Sequence, residues 1–238
     1  MEQIDIENLP KHIAIIMDGN RRWAKREGLE TALGHKEGAE NLKRIAKFAN
    51  SIGIKYMTVY AFSTENWKRA EQEVSAIMKL LKFYLGDFLS KASVDNIKIN
   101  VIGNSYNLSE DLKKEIQKAV DKTANNTGMV LNIAFNYGGR DELVNATKNI
   151  VKQIQENRIS IDEINEQTIS DNIYTAGQPD PDLVIRTSGE QRISNFLLWQ
   201  IAYSEFIFSN KYWPEFNNED LLECIKIYQH RTRKFGGK

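Results

Sequence analysis

Residues 12–23 read HIAIIMDGNRRW. The apolar run from Ile13 to Met17 stops abruptly at an acid, a glycine, an amide and two arginines. A short apolar run closed by turn residues is the pattern of a buried strand. In an open parallel sheet, ligands gather at the carboxyl ends of the strands, where helix N-termini also offer donors to anions. Asp18 therefore stands where a metal ion would be held, with Arg21 and Arg22 beside it, a set that suits a diphosphate. The plainer alternative is a strand end followed by a solvated turn, because charged loops are common. The rest of the chain has to choose between them.

Five more runs read as strands, at about 56–62, 98–102, 129–136, 182–186 and 205–208, after the first at 12–17. Helical spacing fills the gaps between most of them. Residues 34–53 place Ala39, Leu42, Ile45, Ala46, Ala49 and Ile52 on one face, with Gly53 as the stop. Residues 71–92 carry Val74, Ile77, Met78, Leu81, Leu85, Phe88 and Leu89 as a stripe. A helix over 109–125 begins at Ser109 with two acids in its first turn. Further helices are expected at 141–156, more briefly at 161–174, and at 218–233. Strands alternating with helices argue for an α/β fold, a mostly parallel six-stranded sheet covered on both faces. No repeat or Pro/Gly linker divides the chain, so residues 1–238 are expected to form one domain.

Lys+Arg and Asp+Glu both number 32, so the net charge is zero. Nonspecific nucleic-acid binding runs on excess positive charge, and no nucleic-acid partner is expected. The single cysteine, Cys224, excludes an internal disulfide and suits a reducing compartment. The start MEQID lacks the basic and apolar regions of a signal peptide, and no apolar run approaches a spanning helix. A cytoplasmic, soluble protein is expected.

Polar residues cluster after four of the strands. Asp18, Asn20, Arg21 and Arg22 follow the first; STENWKR (63–69) follows the second; NYGGR (136–140) follows the fourth; RTSGEQRISN (186–195) follows the fifth. Any one of these is a turn with a helix cap. All four at one sheet edge, three of them with arginine and hydroxyl groups, argue for phosphate oxygens, which the planar guanidinium grips in a fork. Arg22, Arg69, Arg186 and Arg192 would serve two diphosphates. His35, after Gly34, is either a packing or capping residue or a phosphate contact. Glu205 is an acid entering an apolar strand, which needs a partner: a buried ion pair, or a second magnesium carboxylate opposite Asp18. The 71–92 stripe reads as core, or as the wall of a tunnel for a hydrocarbon. The chain lacks GxxxxGK[ST], GxGxxG and HExxH, and Asp18 has no second acid as in a DxD phosphatase loop.

These segments together resemble the cis-prenyltransferases, most closely the bacterial undecaprenyl diphosphate synthases. The resemblance is carried by HIAIIMDGNRRWAK (12–25), GHKEGA (34–39), YAFSTENWKR (60–69), NTGMVLNIAFNYGGRDEL (126–143), DLVIRTSGEQRISNFLLWQIAYSEF (182–206) and RTRKFGG (231–237), in order along nearly the whole chain. It implies one α/β domain with a hydrophobic tunnel, working as a homodimer with Mg²⁺. The implied reaction condenses isopentenyl diphosphate onto an allylic diphosphate, usually farnesyl diphosphate, each new double bond being cis. Undecaprenyl diphosphate for a cell-wall lipid carrier is the implied product, with membrane contact only as it is released.

The resemblance implies that Asp18 positions Mg²⁺ on the allylic diphosphate and that Glu205 is the second Mg²⁺ ligand. Gly19, Asn20, Arg21, Arg22 and Trp23 would cradle that diphosphate, with His35 beside them. Ser63, Thr64, Glu65, Asn66, Trp67 and Arg69 would form the loop that closes over both substrates. Arg186, Arg192, Ile193 and Ser194 would hold isopentenyl diphosphate, and Arg192–Ser194 and the C-terminal Arg-x-Arg motif would also lie near the dimer interface. Asn66 has the position usually given to the proton acceptor, but a neutral amide is a poor base, and diphosphate or His35 is the better acceptor. Three departures stand out: Arg21 replaces a frequent Gly, Thr31 replaces a frequent diphosphate-binding Arg, and Ala70 replaces a frequent Pro. Arg21 is expected to supply the cation missing at Thr31. A non-catalytic, partner-binding subunit is the alternative, and the retained Asp18, Asn66, Arg69, Arg186, Arg192 and Glu205 argue against it; the missing acid pair argues against a phosphohydrolase.

Overall fold

The computed structural model describes residues 4–231, with the side chains of 87–94 left aside. Six strands, β1 (His12–Ile16), β2 (Tyr56–Ser63), β3 (Lys98–Ile102), β4 (Val130–Tyr137), β5 (Leu183–Arg186) and β6 (Glu205–Phe208), form one sheet in the order β3-β4-β2-β1-β5-β6. Every neighbouring pair is parallel. The expected strands all form, within one residue at each end. The helices are α1 (Asn20–Arg26), α2 (Thr31–Ser51), α3 (Glu71–Asp95), α4 (Glu110–Thr123), α5 (Gly139–Gln155), α6 (Glu166–Ser170) and α7 (Asn218–His230).

Alternation along β1 feeds two cores. Ile13 and Ile15 join the larger cluster with Leu42, Ile45, Val59, Leu131 and Trp213, while Ala14 and Ile16 join a smaller one with Tyr137, Phe196 and Leu197. All five β1 residues are buried, as a central strand covered on both faces requires. The chain leaves β1 toward β2 and returns on its other side as β5. That places a topological switch point between β1 and β5, where a crevice opens at the carboxyl ends of the strands.

Several boundaries differ from the sequence reading. Helix α1 was not expected, because seven residues that begin with Asn-Arg-Arg show no periodicity. Helix α2 starts at Thr31 rather than Gly34. Gly34 and Gly38 are inside it because α1 packs hard against them: a Cβ on Gly34 would lie 2.3 Å from the Asn20 carbonyl oxygen, and one on Gly38 2.5 Å from Asn20 Oδ1. The expected 161–174 helix reduces to a 3-10 turn at Ile161–Glu163 and the short α6, each opened by its own capping box. Helix α7 starts at Asn218 as read but ends at His230, and Asn217 caps it, accepting from the Asp220 N–H. Cys224 is buried on α7, and burial pushes its thiol up to about 12, so it is inert packing. Residues 232–237 of the C-terminal motif, and the side chains of Phe88 and Leu89 in the α3 stripe, lie outside the described set.

His12, at the start of β1, is 1% exposed. Its Nδ1 lies 2.7 Å from the Pro179 carbonyl oxygen and its Nε2 2.7 Å from Thr58 Oγ1. Burial lowers its pKa from 6.5 to about 4, against the weaker pull of Pro179 and Asp182. The unfolded chain therefore takes up this proton at a higher pH than the fold does. Stability contributed by neutral His12 is lost as pH falls from about 6.5 to about 4, an effect of roughly 3 kcal/mol. Urea midpoints measured across that window should fall more steeply for the wild type than for His12→Gln; parallel slopes would rule the coupling out.

Candidate active site

The β1–β5 register sets Ile16 level with Arg186, so the two strands end together at the switch point. Two residues beyond Ile16, Asp18 faces the Arg186 guanidinium. Arg186 Nη2 donates to Asp18 Oδ2 at 2.8 Å, and Arg22 Nη2 lies 3.1 Å from Asp18 Oδ1. The Arg186 side chain is only 4% exposed and that of Asp18 27%. Burial works against the Asp18 carboxylate, but Arg186 and Arg22 outweigh it and hold its pKa below the usual carboxylate range. Asp18 is thus ionised and oriented.

The backbone around Asp18 is pinned from two sides. The Thr187 hydroxyl accepts from the Asp18 N–H at 2.9 Å and donates to the Asp18 carbonyl oxygen at 2.6 Å. The Trp213 N–H donates to the same carbonyl at 3.0 Å. Gly19 turns the chain into α1 with φ +108°, and a Cβ there would meet Tyr212 Cδ1 at 2.7 Å. No side chain fits that turn. The Tyr212 ring in turn lies under Arg22, 5.8 Å from its guanidinium carbon.

The segment after β5 forms a second cradle. Arg186 Nη1 donates to the Arg192 carbonyl oxygen and, at 2.9 Å, to Ser194 Oγ. Ser188, Ser194 and Asn195 all adopt positive φ, at 76°, 50° and 63°. Three non-glycine residues in that region store backbone strain, as binding loops often do. Arg22 Nη1 donates to Glu190 Oε1 at 2.7 Å and Arg22 Nη2 to Ser188 Oγ at 2.5 Å, which join the two cradles. Arg192 pairs with the other Glu190 oxygen. Arg186 Nε is buried without a partner among the described residues, a donor well suited to an anion.

A cavity of about 940 Å³ opens over this edge. It is lined by Asp18, Gly19, Asn20, Arg21, Arg22, Thr31, His35, Ser63, Asn66, Arg69, Arg186, Arg192 and Ser194, so these thirteen of the expected residues come together. Thr64, Glu65 and Trp67 belong to the same 63–69 segment but not to the cavity wall. Glu65 Oε1 accepts from Asn195 Nδ2 at 2.9 Å, Thr64 Oγ1 donates to Glu65 Oε2 at 3.3 Å, and Trp67 Nε1 donates to Asn136 Oδ1 at 2.7 Å. Trp23 sits on α1 away from the wall, and Ile193 packs against the smaller core. Glu205 is not brought to Asp18 within this chain. It pairs in register with Leu183 at the start of β6, the opposite end of the sheet from Asp18, and its Oε2 accepts from Arg231 Nη1 at 2.7 Å. Within this chain Glu205 is an ion-pair partner, not a second carboxylate across from Asp18.

The end of the 63–69 segment is tied to α1 and α2 by an acid the motifs did not single out. Glu73 Oε1 accepts from Arg69 Nη1 at 2.8 Å and lies 3.3 Å from His35 Nε2, while its Oε2 is 3.6 Å from Arg21 Nη1. Burial opposes the charge on Glu73, but Arg69, His35 and Arg21 together lower its pKa. Burial, helped by the charges of Arg69 and Arg21, lowers the pKa of His35 against the pull of Glu73, which favours the neutral imidazole. The i,i+4 spacing of Arg69 and Glu73 was the available signal. Asn66 Oδ1 accepts from the Ser63 N–H at 3.1 Å, closing a capping box. With its oxygen so engaged, what Asn66 can offer a substrate is the amino group, a donor.

A second, apolar cavity of about 100 Å³ adjoins the first, and Met17, Asn20, His35, Ala61 and Ile77 line both. The α3 stripe serves both readings. Ile77, Leu81 and Leu85 line this cavity while also packing with the core, and Val74 and Met78 belong to the core alone.

A family model described as "Putative undecaprenyl diphosphate synthase" matches residues 16–236. The chain belongs to this prenyltransferase family. It is 53% identical over 235 residues to an isoprenyl transferase of Clostridium tetani, covering 99% of this chain and 92% of that one. It is 48% identical over 234 residues to the ditrans,polycis-undecaprenyl-diphosphate synthase ((2E,6E)-farnesyl-diphosphate specific) of Micrococcus luteus, covering 98% and 94%. Its fold matches the crystal structure of lavandulyl diphosphate synthase from Lavandula x intermedia in complex with dimethylallyl diphosphate. That match has a TM-score of 0.93 at 37% identity, over 97% of this chain and 99% of the other. Family membership, with Asp18 and both arginine cradles in place, favours an enzyme over a partner-binding subunit.

The Asp18–Arg186 pair predicts a stability difference. Arg186→Ala leaves a half-buried carboxylate short of its main partner and unties the Arg192 carbonyl. It should cost about 3 kcal/mol in urea unfolding. Arg192→Ala removes a surface pair whose arginine is 58% exposed, and should change stability by less than about 1 kcal/mol. Equal effects would mean that the pair does not anchor the edge.

Proposed function

We propose that the chain is a chain-elongating cis-prenyltransferase, joining isopentenyl diphosphate to an allylic diphosphate such as farnesyl diphosphate to give a cis-polyprenyl diphosphate, with undecaprenyl diphosphate as the product. One observation carries this reading. A single cavity holds one ionised carboxylate between two arginine-rich cradles and adjoins an apolar pocket, which suits two diphosphates and one hydrocarbon.

The allylic diphosphate lies against Asn20, Arg21 and Arg22, with His35 and Arg69 closing from above. Isopentenyl diphosphate takes Arg186, Arg192 and Ser194. The carbon–oxygen bond to the allylic diphosphate breaks, the double bond of isopentenyl diphosphate attacks the freed carbon, and a proton then leaves. The arginines stabilise charge that grows on the departing diphosphate, in a partly dehydrated site where such contacts count most. Asn66 presents a donor and so orients a substrate oxygen; the proton goes to diphosphate or to neutral His35.

Mg²⁺ is the proposed cofactor. Among the described residues no group of three or more His, Cys, Asp or Glu forms a cage. Mg²⁺ is commonly held by one or two carboxylates plus substrate phosphates, and the ionised, oriented Asp18 fits that habit. When bound, the ion supplies Lewis-acid help to the leaving diphosphate. Glu205 would join it only across a subunit boundary, and we propose a homodimer in which β6 and the exposed Tyr203 lie toward the partner. We also place the protein in the cytoplasm, meeting the membrane only when product leaves; among the described residues no helix is long and apolar enough to cross one.

The test uses radiolabelled isopentenyl diphosphate, farnesyl diphosphate and Mg²⁺. Labelled long-chain lipid is expected, falling at least a hundredfold with Asp18→Ala; phosphate release without elongation would point to a hydrolase instead. Arg21→Gly should raise KM for farnesyl diphosphate about tenfold, the worth of one charged hydrogen bond. Adding Thr31→Arg should restore it. An unchanged KM in Arg21→Gly would end the idea that Arg21 replaces the missing cation.

A further inference from the structure

We propose that the ring of Tyr60 is a catalytic group whose open face stabilises the positive charge formed on the isopentenyl unit; this rests on the elongation reading above. When the double bond of isopentenyl diphosphate attacks, its electron pair makes the new bond to the allylic carbon. The departing allylic diphosphate keeps the pair of the bond that breaks. The branched carbon of the isopentenyl unit is then one pair short, until a proton leaves the adjacent carbon and restores a double bond. The arginines serve the diphosphates but repel this carbon, whose charge has their own sign. An apolar group with a negative surface is needed there, and the face of an aromatic ring is one.

Among the described residues, two six-membered aromatic rings line the large cavity, those of Tyr60 and Phe62. Phe62 is 1% exposed, stacked on Phe135 at 5.2 Å and edge-on to Trp67 at 5.3 Å, so its ring is already covered. A bulge sets Tyr60 apart from it. Strand β2 pairs Tyr60 with Ala134 but Phe62 with Phe135, which makes Ala61 the extra residue. Residues two apart in a strand normally share a face, yet Phe62 joins the larger core and Tyr60 packs on the smaller one. Tyr60 thereby shares a face with Arg186. Ile16 is level with Tyr60 on one side and with Arg186 on the other. Two strand spacings, about 10 Å, separate the two backbones at the same edge.

The ring is held firmly on one side only. It lies nearly parallel to Phe196, with centroids 4.5 Å apart and planes 14° apart. Tyr137 is edge-on to both rings, 5.9 Å from Tyr60 and 6.2 Å from Phe196. Such similar distances place Tyr137 beside the stacked pair, not across Tyr60 from Phe196. Neither ring covers the second face of Tyr60. The hydroxyl lies 3.2 Å from the Tyr137 carbonyl oxygen and 3.3 Å from that of Ser194, which ties the ring to the cradle assigned to isopentenyl diphosphate. Burial, with Glu65 nearby, raises the pKa of the phenol, so it keeps its proton and does not serve as the base. What Tyr60 offers the reaction is its ring face, preorganised before substrate arrives.

The experiment follows the first condensation of farnesyl diphosphate with labelled isopentenyl diphosphate and Mg²⁺, by rapid quench with the full-length protein in excess. Tyr60→Leu should slow this step about thirtyfold, the worth of a cation–π contact away from water. The isopentenyl diphosphate concentration giving half the maximal rate should stay unchanged. Tyr60→Phe keeps the ring and should remain within about fivefold of the wild type, the cost of one hydroxyl bond. Mono-, di- and trifluorinated phenylalanine placed at the same position by nonsense suppression keep the shape and withdraw electron density from the face. The rate should fall with each added fluorine. Circular dichroism melting reports folding; if Tyr60→Leu does not fold, the fluorinated series decides. A rate that is flat across that series would overturn the role of the ring face, whatever Tyr60→Leu does, and leave the elongation reading standing. A wild type that makes no labelled lipid would overturn both.

Discussion

The pair between Asp18 and Arg186 ties the architecture to the chemistry. It links the ends of β1 and β5, where successive crossovers run in opposite directions. A carboxylate placed there alone would be half-buried at a cost. Arg186 compensates it from the neighbouring strand, and in doing so it also gathers the Arg192 carbonyl and Ser194. One guanidinium thereby fixes both the acid of the first cradle and the backbone of the second. Thr187 and Trp213 hold the same turn from either side, so the orientation of Asp18 depends on the packing of segments near 187 and 213.

Around this pair the site is held together by carboxylates as much as by cations. Glu190 sits between Arg22 and Arg192, and Glu73 among Arg69, Arg21 and His35. These acids keep the arginines near one another before any anionic substrate arrives, when repulsion would otherwise spread them. Their balance explains how a chain of zero net charge maintains a strongly cationic edge. It also keeps the attraction local, since surface charges beyond a Debye length are screened.

The apolar side is built on a different principle. Glycines at 34 and 38 let α1 sit directly on α2, which brings Asn20 and the arginines over the mouth of a cavity walled by α2, α3 and the sheet. Above that mouth the contacts are directional and charged. Below it they are dispersive, apart from the Tyr84 hydroxyl and the Trp213 N–H, which fasten the walls to each other. A site divided in this way fits an amphipathic substrate that grows from its polar end.

The order of apolar runs and helical stripes determined the six strands, the long helices and the parallel sheet, because those periods are local and long enough to read. It also marked Asp18, Arg22, Arg69 and Arg186, since four polar clusters at one sheet edge are more than turns and helix caps require. Glu205 escaped that reading: its place depends on the β5–β6 register, which sends it to the far end of the sheet and to Arg231. Trp67 and Ile193 lay inside site motifs, yet one bonds Asn136 and the other packs into the core. Glu73 carried one local signal, its i,i+4 spacing from Arg69; that His35 and Arg21 also reach it was decided by the tertiary structure. The lining of the apolar cavity depends on how α2 and α3 face each other across the sheet. A stripe on one helix looks the same whether its partner is core or an open channel, so only the tertiary structure could decide it.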